Sequence, residues 1–271
     1  MPPHDVSIAL LTDFGYRDHY VGVMKGVITS IAPRCRIIDI THGIPPQQIA
    51  AGALALAQSW RFFPAETIFV AVVDPGVGSA RLPIAITTKA GARLIGPDNG
   101  LLSPVADAAG IKTIVRLENP RYRLAATSST FHGRDIFAPA AAWLARGIRL
   151  RSLGPELASM VRIDLDGKVR EGARQLRGEV IYIDTFGNLV TNLTRGRVMD
   201  FAERCGRGRL LVDIGGSRRI GLRKTYADVA VGAPVAVFGS FETLEIAIRD
   251  GSAAARFKRG VGSPVVLKTE D

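Results

Sequence analysis

The sequence predicts an N-terminal α/β domain with a parallel sheet, followed by a smaller C-terminal antiparallel β-barrel-like domain. In the first half, short apolar runs alternate with amphipathic segments, as expected for strands that are joined by crossover helices. From about residue 176 onward, short β-rich segments are separated by glycine-containing turns, which is typical of a small barrel or sandwich. A polar stretch separates the two patterns, so we expect domains at 1–165 and 176–271 with a linker at about 166–175.

The elements of the first half follow from hydrophobic periodicity. The apolar run 6–11 reads as a buried strand, and apolar residues then recur at spacings of three and four between residues 20 and 31, which predicts a helix. The same reasoning predicts strands at 36–40, 67–73, 83–88, 93–96 and 113–117, and helices at 47–60, 101–109 and 133–146.

The second half contains only short segments of strand character. We expect strands at 178–183, 189–193, 208–214, 218–223, 234–238, 243–248 and 263–268.

Composition excludes several classes of protein. The chain has 271 residues, of which 47% are hydrophobic and 22% charged, so it is not a disordered chain, and no apolar run approaches the ~18 residues of a membrane-spanning helix. Two distant cysteines and four histidines without HxH or HxxxH spacing do not suggest a metal site. With no signal-peptide pattern at the N-terminus, we expect a cytoplasmic protein that does not associate with membranes.

The net charge of +10 would suit an acidic partner. Lys and Arg are spread along the whole chain without a dense run, so nucleic-acid binding is not the favoured interpretation. A basic binding module without catalysis nevertheless remains as a second class of function.

Two acidic residues follow strands of the predicted parallel sheet. Ligands of such sheets bind beyond the carboxyl ends of the strands, where Asp13 and Asp74 lie. Either residue alone could simply cap a turn. Neither turn is a phosphate-binding loop, and no GxGxxG follows the first strand, so a nucleoside triphosphate or NAD site is not indicated. A carboxylate in the place of Asp13 is suited to a ribose diol, because two hydroxyls can donate to its two oxygens.

Further candidates come from the segments after the third strand. Asp74 and Arg81 share a glycine-rich turn, so they can form a local ion pair, although a plain turn with an exposed arginine is the alternative. His132 precedes an Ala-rich helix, whose N-terminus would favour the neutral imidazole. A lone histidine in such a place can also be purely structural.

Two segments of the second half have features that ordinary turns do not explain. Phe186 is placed at the bend of a hairpin, and 239–253 combines an alternating strand with a loop of small residues whose amides could approach a ligand.

Seven segments in order resemble one family, the S-adenosylmethionine hydroxide adenosyltransferases, or S-adenosylmethionine hydrolases, which are relatives of fluorinase and chlorinase. The resemblance covers nearly the whole chain. Its segments are LLTDFGYRDHYVGVMKG, DITHGIPPQ, VVDPGVGSAR, GPDNGLL, TFHGRDIFAP, IDTFGNLVTN and GSFETLEIAIRDGSA.

The resemblance implies a reaction, an assembly and a set of site residues. The reaction would be S-adenosyl-L-methionine plus water giving adenosine and L-methionine, with no cofactor and no metal. The protein would be a homotrimer whose active sites lie between the N-terminal domain of one subunit and the C-terminal domain of the next. The implied catalytic residues are Asp74, Arg81 and His132. The implied substrate-binding residues are Asp13 at the ribose, Asp184, Asn188 and Ser240 at the methionine end, Phe186 and Tyr226 beside the adenosine, and Glu245 with Ala253 near the adenine.

An adenosyl halide synthase is the alternative within the same resemblance. Halogenases are expected to carry an extra N-terminal loop, for which the stretch 89–93 leaves no room, and a tyrosine where Asp74 stands. They also place serine or glycine just after the His132 position, and Gly133 offers no hydroxyl to a fluoride ion. The combination of Asp74, Arg81 and His132 follows the hydrolase pattern, so hydrolysis is favoured.

Overall fold

The computed structural model describes residues 6–165, 169–206, 208–215 and 219–270. They belong to two units, Met1–Ile163 and Asp164–Asp271, which are treated separately below.

A six-stranded sheet forms the centre of the first unit, in the order β2-β1-β3-β5-β4-β6. Its strands are β1 (Ser7–Thr12), β2 (Arg36–Thr41), β3 (Ile68–Val72), β4 (Pro83–Thr88), β5 (Arg93–Pro97) and β6 (Ile111–Arg116). The expected α/β class is confirmed, with one difference: β4 runs antiparallel to both of its neighbours. The connection from β4 to β5 is a tight turn, which is too short for the crossover that a parallel pair requires.

Helices cover this sheet. They are α1 (Tyr20–Ile31), α2 (Ile49–Ser59), α3 (Ser103–Ala109) and α4 (Ala138–Ala145). The helix expected at 133–146 begins as a π-helical turn, Gly133–Phe137, before it continues as α4. Met24, Ile28, Phe137 and Ala141 are fully buried in one core with Leu10 of β1.

The second unit is built on an antiparallel sheet in the order β11-β10-β14-β8-β9-β13-β12, with β7 paired to β8. Its strands are β7 (Arg170–Glu171), β8 (Gln175–Ile183), β9 (Leu189–Thr194), β10 (Arg209–Ile214), β11 (Ile220–Gly221), β12 (Pro234–Phe238), β13 (Thr243–Ile248) and β14 (Pro264–Glu270). A bridge between Leu222 and Ala236 brings the two ends of the sheet together, so the unit is nearly barrel-shaped, as predicted. Two short helices, α5 (Arg195–Arg204) and α6 (Ala253–Phe257), complete it.

Two details differ from the sequence-based expectations. Helix α5 was not expected; the hydroxyl of Thr194 caps it, and Val198, Phe201 and Ala202 bury one face. Within the expected linker, β7 pairs with β8 and so belongs to the second sheet, whereas 166–168 lie outside the described residues, as does residue 218 of one expected strand.

Candidate functional site

Asp13 and Asp74 lie at the same edge of the first sheet. They follow β1 and β3, which are parallel neighbours with Thr12 opposite Val72. Adjacent strands are about 4.8 Å apart. The carboxyl end of this strand pair therefore carries both acidic residues.

Arg81 returns to this edge and pairs with Asp74. The Arg81 Nε donates to Asp74 Oδ1 at 2.9 Å, and Nη2 donates to Oδ2 in a second, short contact. Both side chains are more than nine-tenths buried. The predicted local ion pair is therefore present, and the alternative of an exposed arginine is wrong.

The same Arg81 Nη2 lies 2.8 Å from Nδ1 of His132. A guanidinium can only donate hydrogen bonds, so Nδ1 must accept and the imidazole proton must sit on Nε2. Burial, and next the charge of Arg81, lower the pKa of His132, while Asp74 opposes them. His132 is therefore neutral at neutral pH, although the main cause is burial and not the helix end that the sequence suggested.

One nitrogen of the Arg81 guanidinium makes no hydrogen bond with the described residues. This nitrogen is Nη1, which is buried. The guanidinium carbon lies 5.4 Å from the centre of the Phe137 ring, which supports the group from the helix side. Nη1 of Arg81 and Nε2 of His132 are thus two donors without an assigned acceptor in one small cluster.

Glycines allow the loops of this cluster to approach one another. A Cβ atom on Gly78, whose φ is +77°, would lie 2.7 Å from the carbonyl oxygen of Ser129. A Cβ on Gly133 would lie 3.2 Å from both Met24 Sδ and the Phe131 ring. These contacts fix the Asp74–Arg81 turn against the segment that carries His132.

Asp13 is held by a different segment of the chain. Its Oδ2 accepts a hydrogen bond from the backbone N–H of Gln47 at 2.8 Å, and no described residue donates to its Oδ1. The neighbouring Thr12 contacts the buried His42, which lies close to Asp39. Sequence reasoning missed His42 and Asp39, because the only signal was the short segment DITHG.

The second unit contains a cavity of about 870 Å³, which is a volume typical of small-molecule sites. Its lining includes Asp184, Phe186, Asn188, Tyr226, Ser240, Phe241, Glu245 and Arg249. Six of the seven residues predicted in this unit belong to that lining, and only Ala253 is outside it. Ala253 is fully buried as the first residue of α6.

The carboxylate of Asp184 stabilises the turn on which it lies. Its Oδ1 accepts from the backbone N–H groups of Phe186 and Asn188, at 3.0 and 2.8 Å, and its Oδ2 accepts from Asn188 Nδ2 at 2.8 Å. Gly187 has a φ of +80°, and a Cβ there would strike the hydroxyl of Ser252. The turn is thereby locked with Phe186 on the outside, where 78% of its surface is exposed.

A partly buried hydrogen bond joins Tyr226 to Glu245 in the cavity wall. The Tyr226 hydroxyl donates to Glu245 Oε2 at 2.8 Å. Burial, and to a smaller extent the charge of Asp184, raise the pKa of Glu245, while the bond from Tyr226 lowers it. Burial, and next the hydrogen bond to the Glu245 carboxylate, raise the pKa of Tyr226 well above its usual range. Gly239 makes room for this pair, since a Cβ there would lie 1.7 Å from Glu245 Oε1.

The described residues show no group of three or more His, Cys, Asp or Glu side chains that could hold a metal ion. Within the same residues, no helix is long and apolar enough to cross a membrane.

Comparison with known proteins gives a consistent result. The family models for the SAM hydroxide adenosyltransferase N-terminal and C-terminal domains match residues 8–154 and 178–266. A Thermus thermophilus protein named (R)-S-adenosyl-L-methionine hydrolase is 39% identical, with 96% of this chain and 98% of the relative covered. A fluorinase from Actinoplanes sp. is 30% identical, with 96% of each chain covered.

A solved structure agrees with these matches. The crystal structure of an uncharacterized conserved protein from Thermotoga maritima superimposes with a TM-score of 0.88 at 35% identity, covering 96% of this chain and 99% of that one. Both units of the fold and both halves of the sequence thus match the same group of proteins. The chain belongs to the SAM hydroxide adenosyltransferase family.

Proposed function

We propose that this protein hydrolyses S-adenosyl-L-methionine to adenosine and L-methionine, through attack of water or hydroxide at ribose C5′. The observation that carries the proposal is the cluster of Asp74, Arg81 and His132, in which the buried Nη1 of Arg81 and the Nε2 of His132 have no acceptor among the described residues. The name of the Thermus thermophilus relative supports the same reaction.

The leaving group of this reaction needs no further activation, because it departs from a sulfonium. A new C–O bond forms at C5′ while the C–S bond breaks and its electron pair returns to sulfur, so the positive sulfonium becomes a neutral thioether. The proton of the water ends in solvent. Because the leaving group is already activated, we infer that neither a metal nor an organic cofactor takes part.

Water is a weak nucleophile, and the cluster of Asp74, Arg81 and His132 can position and polarise it. Arg81 Nη1 and His132 Nε2 are donors without a partner among the described residues, and a hydrogen bond from either one to the nucleophile would stabilise charge that develops on a hydroxide. Asp74 acts as the positioning residue, because it fixes the plane of the guanidinium through two hydrogen bonds. His132 is a donor in this scheme and not a base, since its Nδ1 is occupied by Arg81.

The remaining predicted residues are assigned to the substrate. We propose that Asp13 accepts from the ribose hydroxyls, and that Phe186 and Tyr226 contact the adenosine. Glu245 and the loop that leads to Ala253 would meet the adenine. Asp184, Asn188 and Ser240 would hold the methionine end.

We also propose that the protein is a homotrimer, in which the first unit of one copy and the second unit of the next complete each site. The resemblance described above supports this assembly. The two cysteines form no disulfide, which accords with a reducing compartment, and we propose the cytoplasm.

A direct experiment tests the reaction. The protein is incubated with each sulfonium epimer of S-adenosyl-L-methionine in isotopically labelled water, and the products are separated by chromatography. We expect adenosine that carries the label in its 5′-hydroxyl, formed faster from the (R) epimer that the relative's name specifies. Absence of adenosine from both epimers would refute the proposal.

The same assay decides the alternatives. Adding chloride or fluoride would yield a halogenated nucleoside if the protein were an adenosyl halide synthase. The fluorinase alignment extends over 291 positions, more than the 271 residues of this chain, so that relative carries residues without a counterpart here. A nucleic-acid-binding module would instead show salt-sensitive retention on nucleic acid and no turnover.

A further inference from the structure

A buried polar network lies directly behind Asp13. The Thr12 hydroxyl is 2.7 Å from His42 Nδ1, and His42 Nε2 is 3.1 Å from Asp39 Oδ1, close enough for an ion-pair contact but not aligned as a hydrogen bond. Lys25 and Tyr16 donate to the other carboxylate oxygen of Asp39, at 2.7 and 3.1 Å. The reaction proposed above uses none of these residues.

The hydrogen bonds to Thr12 indicate where the proton of the His42 ring lies. The backbone N–H of Phe14 donates to the Thr12 hydroxyl oxygen at 3.2 Å, so that hydroxyl can donate onward to Nδ1 of His42. Nε2 of His42 then carries the ring proton and faces Asp39. Because Thr12 and His42 are 0% and 1% exposed, water cannot replace either partner without a rearrangement of the core.

His42 also connects the two loops that set the position of Asp13. Its backbone carbonyl accepts from the N–H of Gly15, at 2.8 Å, in the loop after β1. Five residues later, Gln47 adopts a φ of +66° and donates its N–H to Asp13 Oδ2. The carboxylate of Asp13 is thus held at Oδ2 by Gln47, and the loops on either side of that contact, at Gly15 and at 42–47, are joined through the backbone of His42.

We propose that His42 is a positioning residue for ribose recognition: it holds Thr12 and the 42–47 loop so that the carboxylate of Asp13 faces the ribose hydroxyls. This inference rests on the proposed role of Asp13. His42 does not touch the substrate, and its effect passes through Asp13 alone.

The test is a comparison of two nucleosides that differ by one hydroxyl. Dissociation constants for adenosine and 2′-deoxyadenosine are measured by calorimetry on the intact protein. The 2′-deoxyadenosine constant divided by the adenosine constant reports how strongly the protein binds the 2′-hydroxyl. We expect His42→Ala and Thr12→Val each to lower that ratio by roughly two- to tenfold, the range of a single hydrogen bond. His42→Asn should recover part of the ratio, because its amide oxygen can accept from Thr12 near the place of Nδ1.

A double-mutant cycle separates positioning from general destabilisation. In an Asp13→Ala background, Thr12→Val should leave the ratio unchanged, because nothing remains to be positioned. Thr88→Val removes a buried hydroxyl that donates to Ala92 O elsewhere in the sheet; it should lower the melting temperature and keep the wild-type ratio.

The outcomes distinguish this inference from the proposed function. If wild-type protein prefers adenosine but Thr12→Val and His42→Ala both keep the wild-type ratio, the role of His42 is refuted. An unchanged ratio in Asp13→Ala, or effects of Thr12→Val and Asp13→Ala that simply multiply, would refute it too. Failure of the proposed function would appear separately, as wild-type protein that releases no adenosine from S-adenosyl-L-methionine.

Discussion

Arg81 donates a hydrogen bond to Nδ1 of His132 over 2.8 Å, although the two residues are 51 positions apart in the chain. This contact decides which imidazole nitrogen carries the proton, and it leaves Nε2–H without an acceptor among the described residues. The structure thus favours a site that polarises a nucleophile with donors over one that removes its proton with a base.

The side-chain amides test that assignment. In His132→Gln an amide N–H can reach the place of Nε2, whereas in His132→Asn the polar end stops near Nδ1. We expect both variants to lose turnover, by up to ~10²–10⁴ in the worse case, with His132→Gln retaining more than His132→Asn. Single-turnover release of adenosine measures the difference.

Binding provides the control for that pair. Adenosine affinity, measured by calorimetry, should be close to wild type in both variants, because His132 acts on the nucleophile. If His132→Asn were the more active variant, Nδ1 and not Nε2 would be the functional nitrogen.

The charge on Arg81 should be visible in the titration of His132. Burial and Arg81 together lower the pKa of this imidazole below the usual value of about 6.5, so it stays neutral until the solution is more acidic than that. Replacement of Arg81 by Met removes a repelling charge and leaves Asp74 unpaired, and both changes favour the protonated ring. We expect the NMR titration midpoint of His132 to rise in Arg81→Met; a midpoint that falls would contradict the arrangement.

Buried His42 should make stability depend on pH. Burial, the largest cause, lowers the pKa of His42 in the folded chain, so the unfolded chain binds the proton more readily. The neutral His42 therefore makes its whole contribution to the free energy of unfolding above the unfolded pKa of about 6.5. That contribution is lost as the pH falls from there toward the folded pKa. Urea unfolding of wild type and His42→Asn should show a gap that narrows on acidification, and a gap that widens would be the wrong sign.

A matched pair of glycines tests the cavity of the second unit. In Gly239→Ala the new methyl group would collide with Glu245 Oε1 and push the carboxylate off the Tyr226 hydroxyl. Gly260→Ala adds the same atom where nothing lies within 4 Å. Adenosine affinity should fall in the first variant and stay unchanged in the second; equal affinities would show that the Glu245 geometry is not used in binding.

A second glycine pair probes stability alone. A Cβ on Gly96 in β5 would lie 2.3 Å from the backbone oxygen of Ala71, so Gly96→Ala should cost roughly 1–3 kcal/mol. Gly26 lies on the exposed side of α1 with open space around it, and Gly26→Ala should stabilise the helix by about 0.5–1 kcal/mol. Melting temperatures of the two variants should move in opposite directions.

Sequence reasoning worked best where the information is local. The ends of β1 and β3 were predictable from short apolar runs, and with them the places of Asp13 and Asp74 at one sheet edge. The ion pair of Asp74 with Arg81 lies within a single turn, so its spacing alone suggested it. The strands of the second unit were likewise indicated by alternation and turn residues.

Features that depend on distant contacts were not predictable. The reversed direction of β4 depends on pairing with both β5 and β6. The partners of His132 and His42 come from other loops, and in each case the tertiary contact determines the state of the ring. Helix α5 was hidden because its apolar face is narrow and most of its residues are polar.

The donor pair formed by Arg81 Nη1 and His132 Nε2 has a practical consequence for handling the protein. Donors recognise negative charge and size more than chemical identity, so under the proposed mechanism we expect azide, formate or fluoride in a buffer to compete with the nucleophile for these donors. Such ions should act as inhibitors whose potency grows as the pH falls and hydroxide becomes scarce. The choice of counter-ion therefore belongs among the variables of any kinetic assay.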